Sequence, residues 1–405
     1  MFTLKILEIN SVCGIRSTGR ICTDIMDCAE NHGMECIVAY GRERSPEKYA
    51  ERSVLISKKV GVYVHALLAR LFDMSGFGSK AATKRFLKKL DEYAPDVVHV
   101  HNLHGYYVNL PLLFKHLKKR NIPVIMTLHD CWTFTGHCSH FESALCERWM
   151  DGSCHSCPQL KEYPKSLIDR SRKNFKKKKA CFTMLDDLTV VTPSEWLARN
   201  AKASFLNKYP IKVINNGIDL DAFTPQESDL RQKYGIENKK VALGVASAWN
   251  DKKGLSDFIR LSSLLPDSWT IVLIGLTDEQ KSSLPSNMIG ITRTNSISEL
   301  AEWYSTADVF LNLTYEDTFP TVNLEAQACG TPVITYATGG SPESIIQGKT
   351  GLVTSKKSPE EITRVIDSVK KDSDACRKNA EHYDKWQQFE KYVEEYRSKM
   401  NVKDN

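Results

Sequence analysis

Residues 307–330 read A-D-V-F-L-N-L-T-Y-E-D-T-F-P-T-V-N-L-E-A-Q-A-C-G. The apolar run Val309 to Leu311 predicts a strand, which an acidic pair and Phe-Pro-Thr interrupt before a helix that ends at Gly330. In an open α/β sheet, ligands bind where a strand ends and the loop to the next helix begins. The stretch therefore predicts an α/β fold with a ligand at this loop.

The residue types in this loop indicate which ligand it binds. The helix is predicted to begin near Thr321 and Val322, whose backbone N–H groups lack partners within the helix and suit a phosphate. Asp317 precedes the helix and Glu325 lies one turn into it, so two carboxylates flank the same point. Carboxylates accept hydrogen bonds from vicinal hydroxyls. Phosphate donors beside hydroxyl acceptors predict a sugar nucleotide, whereas solvated surface acids are the plain structural alternative.

The same stretch resembles the nucleotide-sugar signature of the retaining glycosyltransferases of family 4, whose fold is called GT-B. That signature has two acids separated by seven residues before Ala-x-Ala-x-Gly-Thr-Pro-Val, and here Asp317 and Glu325 precede A-Q-A-C-G-T-P-V. The resemblance implies that Glu325 holds the nucleotide ribose and that Asp317 contacts a hydroxyl of the donor sugar. Because the first acid of the family is usually Glu, the neighbouring Glu316 is a competing candidate.

A second motif lies upstream, where Trp249 to Leu255 reads W-N-D-K-K-G-L. It occupies the position of the diphosphate-binding loop of the family, and Lys253 matches the lysine of that loop. The family usually has an arginine a few residues earlier, where this chain has Ala248. Either Lys252 or an arginine of the first domain compensates, or diphosphate binding is weaker.

The composition is that of a soluble globular protein. The chain has 405 residues, which predicts two domains, with 41% hydrophobic and 26% charged residues. Because a signal peptide and an apolar run of eighteen residues are both absent, a cytoplasmic location is expected. The net charge is +6, and residues 1–225 carry 33 basic against 23 acidic residues. The first half should therefore prefer an anionic surface or substrate, but no motif for nucleic acid occurs.

The first predicted strand is followed by a loop with two glycines, Val12 to Arg20, and by a helix from about Ile21. The N-terminus of that helix is expected to approach a phosphate, although a tight turn explains the glycines almost as well. The resemblance places this loop at the interdomain cleft. It makes Gly14 and Arg20 candidates for contact with the donor phosphate or the acceptor.

A histidine follows a buried strand in the middle of the first half. The strand Val124 to Leu128 ends at His129, and catalytic groups of such sheets lie at the carboxyl ends of strands. The family has a histidine in the same T-x-H-D context, which implies that His129 contacts the donor sugar or the acceptor. A hydrogen-bonded core histidine is the alternative.

Five cysteines fall within residues 131–157, in an insertion too short to bury a core of its own. The last two form a C-x-x-C pair, and four thiolates around tetrahedral zinc would staple such an insertion. The candidate ligands are Cys138, Cys146, Cys154 and Cys157, with His137 or His140 as a substitute for one cysteine. Free thiols in a packed loop are the alternative. The insertion resembles a subgroup of the family linked to capsule and colanic-acid-type exopolysaccharides.

The densest basic run is Arg170 to Lys179, with Phe175 inside it and Phe182 just beyond. Each basic residue near an anionic bilayer contributes on the order of 1 kcal/mol. The run therefore predicts reversible attachment to an anionic membrane, and a solvated helix face is the alternative.

The resemblance implies two Rossmann-like, doubly wound α/β domains facing one cleft. Residues 1–222 would bind the acceptor and carry the insertion at 131–158, residues 223–384 would bind the nucleotide sugar, and a helix in 385–405 would cross back. The expected function is retaining transfer of a hexose from a UDP- or GDP-sugar to a glycan or lipid-linked acceptor, without a catalytic metal. Capsule, exopolysaccharide or O-antigen synthesis at the inner face of the plasma membrane is the expected context. A nucleotide-sugar epimerase of the same architecture and a non-catalytic binding subunit are the alternatives.

Overall fold

The structure is a computed structural model that describes residues 3–401. The chain forms two compact units. Unit 1 comprises Met1–Asn215 and Gln388–Asn405, and unit 2 comprises Asn216–Gln387. Each unit has its own parallel sheet and its own hydrophobic core.

The strands of unit 1 are β1 (Lys5–Asn10), β2 (Glu35–Tyr40), β3 (Ser53–Leu55), β4 (Val97–Val100), β5 (Val124–Thr127), β6 (Leu188–Thr192) and β7 (Ile211–Val213). Those of unit 2 are β8 (Lys240–Val245), β9 (Trp269–Ile274), β10 (Met288–Ile291), β11 (Val309–Asn312), β12 (Val333–Tyr336) and β13 (Gly351–Thr354).

The helices before the unit boundary are α1 (Arg16–Asn31), α2 (Lys59–Phe72), α3 (Lys80–Tyr93), α4 (Leu110–Arg120), α5 (Ser171–Phe182) and α6 (Glu195–Ala203). Those beyond it are α7 (Leu230–Lys233), α8 (Leu255–Ser262), α9 (Asp278–Ser282), α10 (Ile297–Thr306), α11 (Thr321–Ala328), α12 (Pro359–Val365), α13 (Ser373–Glu381) and α14 (Lys385–Asn401).

Both sheets are parallel and doubly wound. The sheet of unit 1 has the order β3-β2-β1-β4-β5-β6-β7, and that of unit 2 has the order β10-β9-β8-β11-β12-β13. The strand order reverses between β1 and β4 in unit 1, and between β8 and β11 in unit 2. Ligands of such sheets bind outside the carboxyl ends of the strands at the reversal. The predicted α/β class with two Rossmann-like sheets is confirmed.

The central strands are largely apolar, as expected where helices cover both faces of a parallel sheet. All six residues of β9 are buried, for example. On one face of the sheet in unit 1, the side chains of Phe389, Tyr392 and Tyr396 from α14 lie in the core with those of α1. The Tyr396 hydroxyl lies 2.7 Å from Nδ1 of His99, so α14 also satisfies a buried polar group of β4.

The loop after β1 is shorter than predicted, because α1 begins at Arg16 and not near Ile21. Gly14 turns the chain with φ of 68°, and its N–H donates to the carbonyl oxygen of Gly19 at 3.0 Å. This early turn lets the helix start more than one turn sooner. Arg20 therefore lies within the helix, exposed, and not in a loop.

The basic run forms α5, but part of it faces inward. Phe175 and Phe182 are buried, so neither aromatic side chain is available to a bilayer. Lys178 is also buried; its Nζ donates to the carbonyl oxygen of Trp132 at 2.6 Å and lies 3.7 Å from the centre of that ring. The expectation that this helix presents its basic and aromatic side chains to a membrane is therefore wrong for Phe175, Lys178 and Phe182. Among the described helices, none is long and apolar enough to cross a bilayer.

A glycine allows two loops to pack closely at the point where the strand order of unit 2 reverses. Gly254 precedes α8 with φ of 80°, and a Cβ there would lie 2.4 Å from the carbonyl oxygen of Leu313. The loop after β8 therefore packs directly on the segment after β11. Only a residue without a side chain permits this approach.

Gly254→Ala is expected to lower the free energy of unfolding more than Gly348→Ala. Both glycines have positive φ, 80° and 75°, which costs other residues about 1–2 kcal/mol. A Cβ at Gly348, however, would meet no described atom within 4 Å. Chemical denaturation of the two variants isolates the cost of the backbone contact. Equal losses would contradict the close approach.

Candidate functional site

The loops at the reversal of unit 2 carry opposite charges. Lys252 and Lys253 follow β8, and Glu316 and Asp317 follow β11. Nζ of Lys253 lies 2.9 Å from Oδ2 of Asp317. Nζ of Lys252 lies 3.0 and 2.9 Å from the two carboxylate oxygens of Glu316. Two predicted donor-binding lysines and both candidate acids therefore lie together.

The two ion pairs differ in exposure. The Glu316 side chain is 7% exposed and is held by both of its oxygens, whereas that of Asp317 is 21% exposed and is paired with a 39% exposed Lys253. A ligand can reach the second pair, while the first fastens the loops together. The geometry thus favours Asp317 over Glu316 as the acid that meets a ligand.

The N-terminus of α11 lies on the same loop. The helix begins at Thr321 after Pro320, whose side chain has no acceptor to cap it. Thr321 and Val322 are partly exposed. Uncapped first-turn N–H groups at a helix N-terminus attract anions. The structure therefore places Thr321 and Val322 in the first turn of this helix, and their contact with a phosphate stays a prediction.

Buried polar contacts hold this helix end in position. Nδ2 of Asn323 donates to the hydroxyls of Ser341 and Ser344 at 3.0 and 3.1 Å. Nε2 of Gln327 donates to the carbonyl oxygen of Ser344 at 2.9 Å. The network joins α11 to the 3-10 turn Ser341–Ser344 that follows the glycine pair after β12. Asn323 and Gln327 were missed in the sequence, where polar residues of a helix indicate surface.

A tyrosine orients the second acid of the signature. The hydroxyl of Tyr304, a buried residue of α10, donates to Oε2 of Glu325 at 2.8 Å. Glu325 is partly exposed. A carboxylate held on one side by a buried donor has a fixed direction. The sequence carries no signal for Tyr304 beyond an aromatic position in a helix.

In unit 1, His129 ends a chain of buried hydrogen bonds. Its Nε2 lies 3.0 Å from Nδ1 of His101, and Nε2 of His101 lies 3.2 Å from Oε2 of Glu8. Cys22 Sγ donates to the same oxygen of Glu8 at 2.7 Å. The chain runs from the interior of the sheet to the carboxyl end of β5. A single acid within the apolar strand β1 was the available signal for Glu8.

Burial makes this chain neutral. It raises the pKa of Glu8 to about 8, lowers that of His129 to about 4, and lowers that of His101. A protonated Glu8 donates to Nε2 of His101, which in turn donates from Nδ1 to Nε2 of His129. His129 then carries its proton on Nδ1. Ionisation of Glu8 would reverse each of these bonds, so Glu8 sets the tautomer of His129.

A carboxylate and a second histidine lie beside the neutral His129. Oδ2 of Asp130 is 2.7 Å from Nε2 of His104. Burial alone would raise the pKa of Asp130, but the charge and hydrogen bond of His104 lower it to about 2. Asp130 is therefore negative where β5 ends, next to His129.

The other two predicted residues of unit 1, Gly14 and Arg20, make contacts within the fold. A Cβ at Gly14 would lie 2.8 Å from the Tyr49 ring, so close packing and positive φ both require glycine there. Nε of Arg20 donates to the carbonyl oxygen of Arg16 at 3.4 Å on the exposed side of α1.

The four predicted cysteine ligands line one cavity of about 20 Å³. Cys138 and Cys157 share a hydrogen bond there. No three of the four sulfurs lie within 4.8 Å of one another. Over residues 3–401, the one group of three ligand atoms that close is Glu8, Cys22 and His101.

Comparison with known proteins agrees with this geometry. Residues 18–222 match the family model described as Glycosyltransferase Family 4, and residues 226–386 match that of Glycosyl transferases group 1. The chain is 24% identical over 377 residues to the putative colanic acid biosynthesis glycosyl transferase WcaC of Escherichia coli (strain K12). The match covers 90% of this chain and 89% of the relative.

Two solved structures share the fold over nearly the whole chain. Sucrose-phosphate synthase from Thermosynechococcus elongatus superimposes with a TM-score of 0.71 at 15% identity, over 98% of this chain and 100% of that one. HepE from Anabaena, in complex with UDP-glucose, gives 0.67 at 16% identity with the same coverage. The fold and site thus define a glycosyltransferase of the GT-B type. This chain belongs to glycosyltransferase family 4, as its resemblance implied.

Glu8→Gln is expected to remove a pH dependence of stability. The folded-state pKa of Glu8 is raised to about 8 from 4.5, so its contribution is full below pH 4.5 and is lost as the pH rises toward 8. Glutamine reproduces the protonated acid and does not titrate. Denaturation at pH 5 to 8 should show wild type losing up to about 1.4 kcal/mol per pH unit relative to the variant. Parallel profiles would contradict a buried neutral Glu8.

Proposed function

We propose that this glycosyltransferase moves a hexose from a nucleotide sugar, a UDP- or GDP-sugar, to a glycan or lipid-linked acceptor with retention of configuration. The observation that carries the proposal is the set of groups at the reversal of unit 2. Lys253 and the N-terminus of α11 offer positive charge and N–H donors to a diphosphate, and Asp317 and Glu325 offer acceptors to hydroxyls. The UDP-glucose complex of HepE supports this class of donor.

The pair between Lys253 and Asp317 suggests how the donor is received. Both side chains are partly exposed, and such a pair is worth about 0–1 kcal/mol. A diphosphate therefore displaces Asp317 from the lysine at little cost. The freed carboxylate then accepts from a hydroxyl of the donor sugar. A single exchange thus leaves Lys253 bound to the diphosphate and Asp317 bound to the sugar of the donor.

Lys253 and the N-terminus of α11 would also assist cleavage of the bond between the donor sugar and the diphosphate. As the bond between sugar and diphosphate breaks, negative charge grows on the phosphate oxygens. Lys253 and the N–H groups of Thr321 and Val322 stabilise that charge, and they need no reorganisation because the protein holds them in place. The proposal assigns no catalytic metal, because these groups supply the positive potential.

His129 is assigned the contact with the donor sugar or the acceptor. When Glu8 is protonated, Nδ1 of His129 is a donor. The negative Asp130 is the next residue in the chain. A neutral histidine with one defined proton suits recognition of a sugar hydroxyl. The likeness to WcaC, whose name refers to colanic acid, supports a role in the synthesis of capsule, exopolysaccharide or O-antigen.

A lipid-linked acceptor requires contact with a membrane, and α2 offers a surface for it. Val60, Tyr63, Val64 and Leu67 are each more than half exposed and recur at helical spacing. The helix contains Lys and Arg but no acid. An apolar face with basic residues binds an anionic bilayer. We assign the membrane contact at the inner face of the plasma membrane to α2, with the exposed lysines of α5 in support.

UDP or GDP and their sugar conjugates are expected to raise the melting temperature of the protein. At a hundred times its Kd a ligand adds about 2.7 kcal/mol to folding stability. Lys253→Ala and Glu325→Gln should lose this shift, whereas Lys349→Ala, an exposed lysine of the same unit, should keep it. No shift with any nucleotide would contradict the donor site. Release of a free epimer without an acceptor would favour an epimerase.

Val64→Asp combined with Leu67→Asp is expected to reduce binding to vesicles that contain anionic lipid. Each change places a charge where an apolar side chain would enter the interface, so a loss of at least about tenfold is expected. Cosedimentation measures it. Leu264→Asp changes an exposed leucine of unit 2 and should bind as wild type does. Equal binding by all three proteins would refute the assignment to α2.

A further inference from the structure

The cysteine-rich insertion is a long irregular segment with a packed interior. In the part of the chain that the structure describes, no helix or strand lies between Thr127 at the end of β5 and Ser171 at the start of α5. The side chains of Trp132, Phe134 and Trp149 are nevertheless almost fully buried. Loops longer than about 15 residues without secondary structure are uncommon in compact domains. The loop therefore requires an interaction that its secondary structure does not supply.

The four cysteine side chains converge on one small cavity. Cys138, Cys146, Cys154 and Cys157 all line it, and its volume of about 20 Å³ has room for one particle the size of a water molecule or an ion. Cys138 and Cys157 already touch through a hydrogen bond. Zinc bonded to sulfur at about 2.3 Å brings its ligands to about 3.8 Å from one another. Binding an ion would draw the other two sulfurs inward.

Backbone groups are already directed at two of the sulfurs. The N–H of Gln159 hydrogen-bonds the sulfur of Cys157, and the N–H of Gly136 hydrogen-bonds that of Cys154. A Cβ at Gly136 would lie 2.5 Å from the carbonyl oxygen of Ser171 and 2.8 Å from Cβ of Cys154. Glycine thus permits the close approach. Backbone N–H donors stabilise a thiolate and not a thiol, because the charge strengthens the bond.

Three buried polar atoms around the cavity lack partners. They are Nε2 of His137, Nε1 of Trp149 and Oγ of Ser171, and all three residues line the cavity. Nδ1 of His137 lies 2.7 Å from Oδ1 of Asp73, so one side of the ring is fixed and the other faces the cavity. An unsatisfied buried group is costly. Metal-bound thiolates would accept from the N–H of Trp149 and the hydroxyl of Ser171.

We propose that Cys138, Cys146, Cys154 and Cys157 bind one zinc ion through four thiolates. Each thiol gives up its proton as the ion binds. The ion crosslinks the insertion and fixes it beside the end of β5. Asp73 holds His137 toward the sulfurs from the end of α2.

The other group of three ligand atoms is less suited to a metal. Glu8, Cys22 and His101 already satisfy one another through hydrogen bonds, and His101 uses its second nitrogen for His129. That group leaves no polar atom without a partner. It is explained by the chain that sets the tautomer of His129.

Elemental analysis of the full-length, untagged protein is the first test. About one zinc per chain is expected after dialysis, and X-ray absorption should show four sulfurs at about 2.3 Å. Cys138→Ser, Cys146→Ser, Cys154→Ser and Cys157→Ser should each lose the zinc. Cys181→Ser, a buried cysteine of α5 outside the cavity, is the matched control and should keep it. Wild type that holds no zinc, even when refilled under reducing conditions, would overturn the site.

A variant of His137 separates a four-thiolate site from one in which this histidine replaces a cysteine. His137→Ala should keep one zinc per chain, because four thiolates complete a tetrahedral site. Loss of the zinc in His137→Ala, with three sulfurs and one nitrogen around the wild-type ion, would overturn the four-thiolate assignment.

Removal of the ion from wild type tests the site even if the cysteine variants fail to fold. Hydrogen exchange after chelation should accelerate within residues 131–170 and stay unchanged in unit 2. Re-addition of zinc should reverse the change. Unchanged exchange in residues 131–170 after complete removal would overturn the crosslinking role.

Discussion

Parallel pairing of strands is the constraint on which both units depend. Parallel neighbours require each connection to return across a face of the sheet, so every strand ends at the same edge where the following helices begin. In unit 2 this brings the loops after β8 and β11 together, although Lys253 and Asp317 are 64 residues apart in the chain. The site is thus a consequence of the hydrogen-bonding pattern of the sheet.

The two units use this edge in opposite electrostatic ways. In unit 2 the acids and lysines form ion pairs, and water reduces the cost of charge at the partly exposed pair of Lys253 and Asp317. In unit 1 Glu8 is buried, so desolvation outweighs its tendency to ionise, and the chain to His129 stays neutral. We propose that the first arrangement exchanges partners with a charged ligand, whereas the second holds a proton at a defined atom.

The departures from expectation share a physical origin. The helix after β1 begins at Arg16 because Gly14 turns the chain early, which apolar periodicity does not report. The basic run of α5 includes buried Lys178, because the insertion folds over that face and offers the carbonyl oxygen and ring of Trp132. Helical spacing alone does not distinguish a solvated face from one covered by a distant loop. The exposed apolar face of α2 was missed for the same reason.

Local patterns in the sequence determined the α/β class, most strand positions and the acidic and basic residues of the candidate site, because these depend on periodicity and on motifs of a few residues. Tertiary structure alone decided which acid each lysine pairs with, that Tyr304 orients Glu325, and that His101 joins His129 to Glu8. It also decided that Asp73 holds His137 beside the cysteines. These contacts join residues far apart in the chain, and their chemistry follows from burial, which only the packed fold determines.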